Sequence, residues 1–275
     1  MMAAVRPVRA AAALAVALSA AWLSAPAWPG ASACPWHYAG GHPPEALREG
    51  LRVRLREICK AGHASHHSGV SAGPLWSAHR LTAARVAAAE AVPRSGSFHA
   101  EPSVPVRERA SLDHYRGSGF DRGHLAPAGD MADDASMRDS FSLSNVVPQE
   151  PGLNRGPWSR IEAATRSLAS EHGEAWVVTG VAFTEPEVRV VGGRVMVPDA
   201  VWKAVWTPSS GSVEVWWAAN VSGSKPVRVD LDHIVEKAGI RPFPAMRGAI
   251  DPAVHAPSRR SWLAVLKEEV ERWLR

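Results

Sequence analysis

Between Ala175 and Ala219 the sequence alternates short apolar runs with turn residues, and no helix-length segment separates them. The runs at 175–181, 188–191, 194–197, 200–206 and 213–219 read as strands, and Gly192-Gly193 is a hairpin signal. Upstream, Leu51–Cys59 and Leu75–Leu81 read as strands on either side of a histidine-rich turn, His63 to His67. Phe141–Val147 reads as another strand. A few helical segments are interspersed. Pro157–Ser170 has helical spacing at Trp158, Ile161, Thr165, Leu168 and Ala169, with its proline in the first turn, where a missing N–H costs little. Gly173 is its expected stop. Ser261–Leu274 has similar apolar spacing, with Ser261 as its cap. Mixed strands with a few helices exclude a regular βαβ winding and imply an α+β domain on a mixed or antiparallel sheet.

The remaining stretches read as connections. Residues 34–50 are irregular. Residues 93–119 carry Pro93, Pro102 and Pro105 and read as a long surface loop, a common place for substrate contacts. Asp130–Arg138 reads as a turn or short helix, and Pro148–Leu153 as a turn. No internal repeat is present.

The N-terminus reads as an export signal rather than as part of the fold. Arg6 and Arg9 precede an apolar run, Ala10–Leu23, too short and alanine-rich for a good membrane span. Small-residue cleavage patterns follow at 25–27 and 31–33. The expected organisation is a signal peptide over 1–33 and one domain over 34–275, located in the periplasm or outside the cell, with no stable membrane insertion. In an oxidising compartment the two cysteines, Cys34 and Cys59, are expected to pair. Lipidation at Cys34 is the competing reading, and a bridge would exclude it. Charge says less. The net charge is +4, so removing Arg6 and Arg9 leaves +2, too little to imply nucleic-acid binding. Arginine outnumbers lysine, which suits bidentate phosphate contacts but also follows from codon bias in a GC-rich genome.

Two segments thirty residues apart carry the chemistry. In Asp121-Arg122-Gly123-His124, a neutral imidazole can act as a base near pH 7, and Arg122 can stabilise charge on phosphorus. Gly123 is expected to supply the backbone freedom that aims its neighbours. In Leu153-Asn154-Arg155-Gly156, the amide oxygen of Asn154 is a hard, neutral ligand suited to Mg²⁺. Glu162 lies two helical turns on, and Arg166 one turn beyond it. Base, ligand and cations are the parts of a metal-assisted phosphodiesterase. Singly, each has an ordinary alternative: a structural histidine, a helix cap, an exposed Glu–Arg pair.

Residues 117–166 resemble the DNA/RNA non-specific endonuclease family, the ββα-metal nucleases. The matching blocks are Gly117-Ser118-Gly119-Phe120-Asp121-Arg122-Gly123-His124-Leu125-Ala126-Pro127, Leu143 to Gln149, Leu153 to Trp158, and then Glu162 and Arg166. Weaker resemblance runs from about Cys34 to Val221, through Pro74-Leu75-Trp76-Ser77 and Val197 to Lys203. It implies that His124 is the general base and Asn154 the sole direct side-chain ligand of Mg²⁺, for which Mn²⁺ can substitute. Glu162 is similar to the acidic residue that holds metal-bound water, and Arg122 and Arg166 resemble the phosphate-site arginines. Asn145 and Gln149 look like supporting residues. The resembled fold places His124 on a strand and Asn154 on the facing helix. The implied substrates are DNA and RNA in both strand states, with 5′-phosphate products. Phe120 departs from a tyrosine that many members carry. An upstream phosphate arginine is also implied, with Arg94, Arg107 and Arg109 as candidates.

Other conspicuous residues read as structural. His63, His66 and His67 lack a partner ligand at metal-binding spacing. Trp216 and Trp217 face opposite sides of a strand; one can stack a base, but two structural tryptophans are the simpler expectation. Asp133-Asp134 reads as a solvated turn. The alternative function is a secreted nucleic-acid-binding or scaffold protein of the same fold without catalysis.

Overall fold

A stripe of residues four apart decides how the main helix sits. Ile161, Thr165 and Ala169 are buried along one side of the helix Ser159–His172, the spacing of an apolar face laid on a core. Gly173 ends it with φ 85°, a conformation glycine adopts without a Cβ clash. Glu162 and Arg166 occupy the adjacent stripe, at the margin of the buried face, so the packing that anchors the helix also aims them.

The computed structural model describes residues 31–246. Its core is a seven-stranded sheet. In chain order the strands are β1 Leu55–Cys59, β2 Ala64–Ser68 and β3 Gly73–Thr82, then β6 Glu174–Ala182, β7 Ala200–Thr207, β8 Ser212–Ala219 and β9 Val227–Val229. The short strands β4 Asp121–His124 and β5 Val146–Gln149 lie between β3 and β6 in sequence and form a separate ribbon. The order across the sheet is β9-β8-β7-β6-β3-β2-β1, and every pairing is antiparallel. Three helices have eight or more residues among the described ones: α1 Ala83–Glu90, α2 Ser159–His172 and α3 Leu231–Ala238. The α+β expectation holds. No helix among the described residues is long and apolar enough to cross a membrane.

On β7, Trp202 and Lys203 are adjacent and both fully buried. Successive strand residues point to opposite faces, so the sheet is covered on both sides here. Opposite Trp202 stands Gly180. A Cβ on Gly180 would lie 2.3 Å from the indole, so the glycine makes room for the tryptophan. Cys34 and Cys59 form a disulfide with Cα atoms 5.9 Å apart, tying the leading segment to the end of β1.

Several expectations are corrected. The histidine-rich segment is strand β2, not a turn. His66 stacks on Trp76 with centroids 4.6 Å apart, and His67 Nε2 bonds the Glu108 carbonyl at 3.0 Å. His63 and His67 are buried. The reversal comes just before, at Ala61-Gly62, where Lys60 N–H donates to the His63 carbonyl. Residues 83–90, to which no element was assigned, form α1; Thr82 caps it by accepting from the Arg85 N–H. Leu143–Asn145 is a 3-10 turn, and strand β5 runs from Val146 to Gln149. Asp133 is an N-cap that accepts from the Ser136 N–H. Trp216 is buried and Trp217 packs edge-on against His233. Residues 1–30 of the expected signal segment and the expected helix Ser261–Leu274 lie outside the described residues.

Candidate active site

β4 and β5 pair antiparallel with Asp121 opposite Gln149 and His124 opposite Val146. The chain then passes through a short turn of helix, Pro151–Leu153, capped by Glu150, whose carboxylate accepts from the Leu153 N–H. A π-turn follows over Asn154–Trp158, with Gly156 at φ −108°, ψ −108° and Pro157 inside it. Such turns widen a helix and frequently mark functional positions. α2 begins directly after it. Two strands and a helix thus bring the two sequence segments together. Buried Asn220 ties the junction to the large sheet: its oxygen accepts from the Glu150 N–H, and its nitrogen donates to the carbonyls of Pro148 and Pro198. No sequence signal singled out Asn220, because its partners lie 22 to 72 residues away.

A cleft of about 460 Å³ opens at this junction. Arg94, Arg122, Arg155 and Arg166 line it together with His124, Asn154, Glu162 and Asp121. His124 is 9% exposed, with its ring between Phe98 and Phe141 at centroid distances of 5.2 and 5.0 Å. Its Nε2 is buried with no hydrogen-bond partner. Burial pushes its pKa down to about 3, and the charge of Arg94 adds to the shift. The ring is therefore neutral, with a lone pair to offer, across the physiological range.

Asp121, with no role expected from the sequence, touches both Asn154 and Arg155. Its carboxylate accepts from Asn154 Nδ2 at 2.9 Å and from Arg155 Nε at 2.7 Å. A carboxylate only accepts, so Asp121 holds the nitrogen end of the Asn154 amide and leaves the oxygen end for a cation. Burial would raise the Asp121 pKa, but the hydrogen bonds from Arg155 and Asn154 outweigh it and hold the carboxyl below its usual range.

Arg166 is positioned from behind. Its Nη1 donates to Asp130 Oδ1 at 3.0 Å, and Asp130 Oδ2 pairs with His79 Nε2 at 2.9 Å on β3. Burial would raise the Asp130 pKa; the bond and charge of His79, with Arg166 and Lys203, hold it at about 2. Glu162 is pushed up to about 7, chiefly by burial and against the pull of Lys203. Lys203 is fully buried and donates to Thr179 Oγ1 at 2.6 Å. His79, Asp130 and Lys203 are not legible from the sequence: they lie on three separate elements, and only the fold brings them together.

Of the three upstream arginines, Arg94 lines the cleft. Arg109 is used up on the carbonyls of Glu101, Pro102 and Val104, and Arg107 sits against Glu108. Asn145 does not line the cleft. It is buried behind β4, where it accepts from the Ala126 N–H and donates to the carbonyls of Ala126 and Ser140. Gly123 is a glycine for space, not for freedom: it lies in regular strand, and a Cβ there would meet Gln149 Oε1 at 2.1 Å. Gly123→Ala is expected to destabilise the fold by roughly 1–3 kcal/mol, the usual cost of overpacking, measurable as a lower urea midpoint.

A family model for the DNA/RNA non-specific endonucleases matches residues 42–247. The chain belongs to that family. Within it, Nuclease C1 of Cunninghamella echinulata var. echinulata is 37% identical over 145 residues, 48% of this chain and 58% of that protein. This chain thus spans little more than half the length of the fungal nuclease. Mitochondrial endonuclease G of Bos taurus is 32% identical over 219 residues, 75% of this chain and 73% of the relative. Among solved structures, an EndoG/EndoGI complex is similar with a TM-score of 0.62 and 27% identity, covering 68% of this chain and 84% of that one. Membership in this endonuclease family agrees with a cleft that gathers arginines around a neutral histidine.

Proposed function

We propose that the chain is an exported, single-domain, metal-dependent endonuclease. It hydrolyses phosphodiester bonds of DNA and RNA without sugar or sequence preference and leaves 5′-phosphate ends, with Mg²⁺ as its ion and Mn²⁺ as a substitute. One observation carries the reading: an unengaged neutral imidazole, an amide oxygen oriented by a carboxylate, and four arginines share one cleft. The relatives named above are themselves nucleases by name. The disulfide and the basic-apolar N-terminal sequence support export.

Asn154 fits a hard divalent ion because Asp121 already commits its nitrogen, so that only the oxygen remains to coordinate. Asn154 would hold the ion directly and Glu162 through its hydration shell. When bound, the ion supplies positive charge to the phosphate and to the leaving 3′-oxygen. His124 takes the proton of the attacking water. Arg122 and Arg166 bind the phosphate oxygens, with Arg94 as the third cation, and Asp130 and His79 hold Arg166 in place. No element of the cleft reads base edges, and phosphate contacts carry little sequence information.

The test is a substitution series on plasmid DNA and on RNA, with Mg²⁺ titrated. Asn154→Ala is expected to collapse activity, with partial recovery at high Mg²⁺. Asn154→Asp keeps an oxygen and binds the ion at least as well, but its charge repels substrate. Glu162→Gln is expected to be the mildest, since it acts through water. Cleavage by Asn154→Ala with unchanged Mg²⁺ dependence would place the ion elsewhere. A binder without catalysis predicts no Mg²⁺-dependent hydrolysis by the wild type.

A further inference from the structure

A second groove of about 380 Å³ adjoins the cleft and has no part in the chemistry described above. Leu112, Tyr115, Arg116 and Phe120 line it, and Asp121 and Arg122 belong to both hollows. Its wall is the loop between the short helix Leu112–Tyr115 and β4. Gly117 and Gly119 take φ values of 66° and 79° there, which only glycine accommodates readily. The loop delivers Phe120 next to Arg122. The Phe120 ring is partly buried against a cluster that includes Tyr115, Val191 and Val195, and Arg189 lies over it with Cζ 5.4 Å from the centroid. Tyr115 is buried, whereas Leu112 is 42% exposed on the rim.

The groove offers an apolar side at Phe120 and Leu112 and cations at Arg122 and Arg116, beside the Asp121 carboxylate that Arg155 already pairs. Arg116 is tied only to Asp113, and both side chains are largely exposed, so that pair contributes little and yields readily to a phosphate. We propose that this groove is a nucleoside subsite, which takes the base and sugar adjoining the phosphate held by Arg122, against Phe120 and Leu112. The proposal rests on the nuclease reading for the identity of the strand. It adds that the enzyme senses whether a base is present beside the scissile bond, although it does not read which base. Stacking on an aromatic ring tolerates every base, because each has a π-face.

The experiment uses the disulfide-intact mature protein and short single-stranded oligonucleotides with one cleavable phosphodiester. An abasic residue is placed on its 5′ or its 3′ side. Binding is measured by fluorescence anisotropy in EDTA, and kcat/KM in Mg²⁺. For the wild type, the abasic residue on one side is expected to weaken binding roughly five- to hundredfold, the range that base–aromatic stacking supplies. Phe120→Ala should lose that discrimination, and Phe120→Trp should retain it. Arg116→Glu changes an exposed residue and should weaken binding of intact and abasic strands alike. Equal abasic penalties in wild type and Phe120→Ala on both sides would overturn the subsite, even with cleavage intact. Base-dependent binding without cleavage would leave the subsite standing and remove the nuclease reading instead.

Discussion

His124→Ala is expected to lower turnover by roughly 10²–10⁴-fold, the usual cost of removing a general base, while nucleic-acid binding in EDTA stays close to wild type. The separation follows from the division of labour in the cleft. On the proposed reading, phosphate affinity resides in Arg94, Arg122 and Arg166, none of which hydrogen-bonds the imidazole, and proton transfer in the His124 ring, whose Nε2 is buried without a hydrogen-bond partner. The substitution also removes a ring packed between Phe98 and Phe141, and such truncations of buried groups commonly cost a few kcal/mol. His124→Gln is therefore the companion variant: it fills more of the space and supplies no comparable base. Both should bind and neither should turn over. Added imidazole should restore part of the activity of His124→Ala, because the vacated space is bounded by two aromatic rings and opens on the cleft. Cleavage at wild-type rates by either variant would place the base on another residue.

The parts of this site that could be seen in the sequence are those whose geometry is local. Asp121 to His124 form one strand, and Asn154 to Arg166 a helical stretch broken only at Gly156, so order and spacing carried most of the arrangement. The second row of residues was hidden for a physical reason. His79 and Asp130 are 51 positions apart, and Asn154 and Asp121 are 33 apart. Nothing along a single stretch of chain marks a buried polar residue as one half of a pair. Periodicity misled in the opposite sense at His63 to His67, where polar residues imply a turn. Buried strands accept histidine when the ring is neutral and packed, as His66 is against Trp76. The helix α3 was missed although Asp230 caps it and Gly239 stops it with φ 68°. Its apolar residues Leu231, Ile234, Val235 and Ala238 follow the i, i+3, i+4, i+7 spacing of an amphipathic helix, so this element was legible in the sequence.

Those buried histidines lead to the second large effect, a loss of stability in mild acid. The pKa of His37 and His66 is lowered to about 4 and that of His124 to about 3; His63, His67 and His79 are also lowered, and burial is the largest cause in every case. The unfolded chain binds a proton on each near pH 6.5, whereas the folded chain resists it. A group depressed in this way contributes stability that is fully present above its unfolded pKa and is lost as the pH falls toward the folded one. Each contributes a slope of about 1.4 kcal/mol per pH unit inside that window. His37, His66 and His124 alone approach about 4 kcal/mol per unit, a large part of the stability of a typical domain, and the other three act in the same direction. Denaturation is therefore expected as a cooperative transition between about pH 6 and 4. A mechanism driven by carboxylates has a different window. Asp130 and Glu101 are held at about 2, so their contribution declines only below their unfolded values near 4. Urea midpoints measured at pH 7.5, 6.0, 5.0 and 4.5 separate the two: the histidine account requires a steep fall already between 6.0 and 5.0. His63→Leu sharpens the test. Both ring nitrogens of His63 are buried without partners, so an apolar side chain of similar size loses no hydrogen bond and removes one titrating group. That variant should tolerate acid better than the wild type and show a shallower dependence on pH. A midpoint that stays flat down to pH 5 would show that these histidines titrate alike in the folded and unfolded chains.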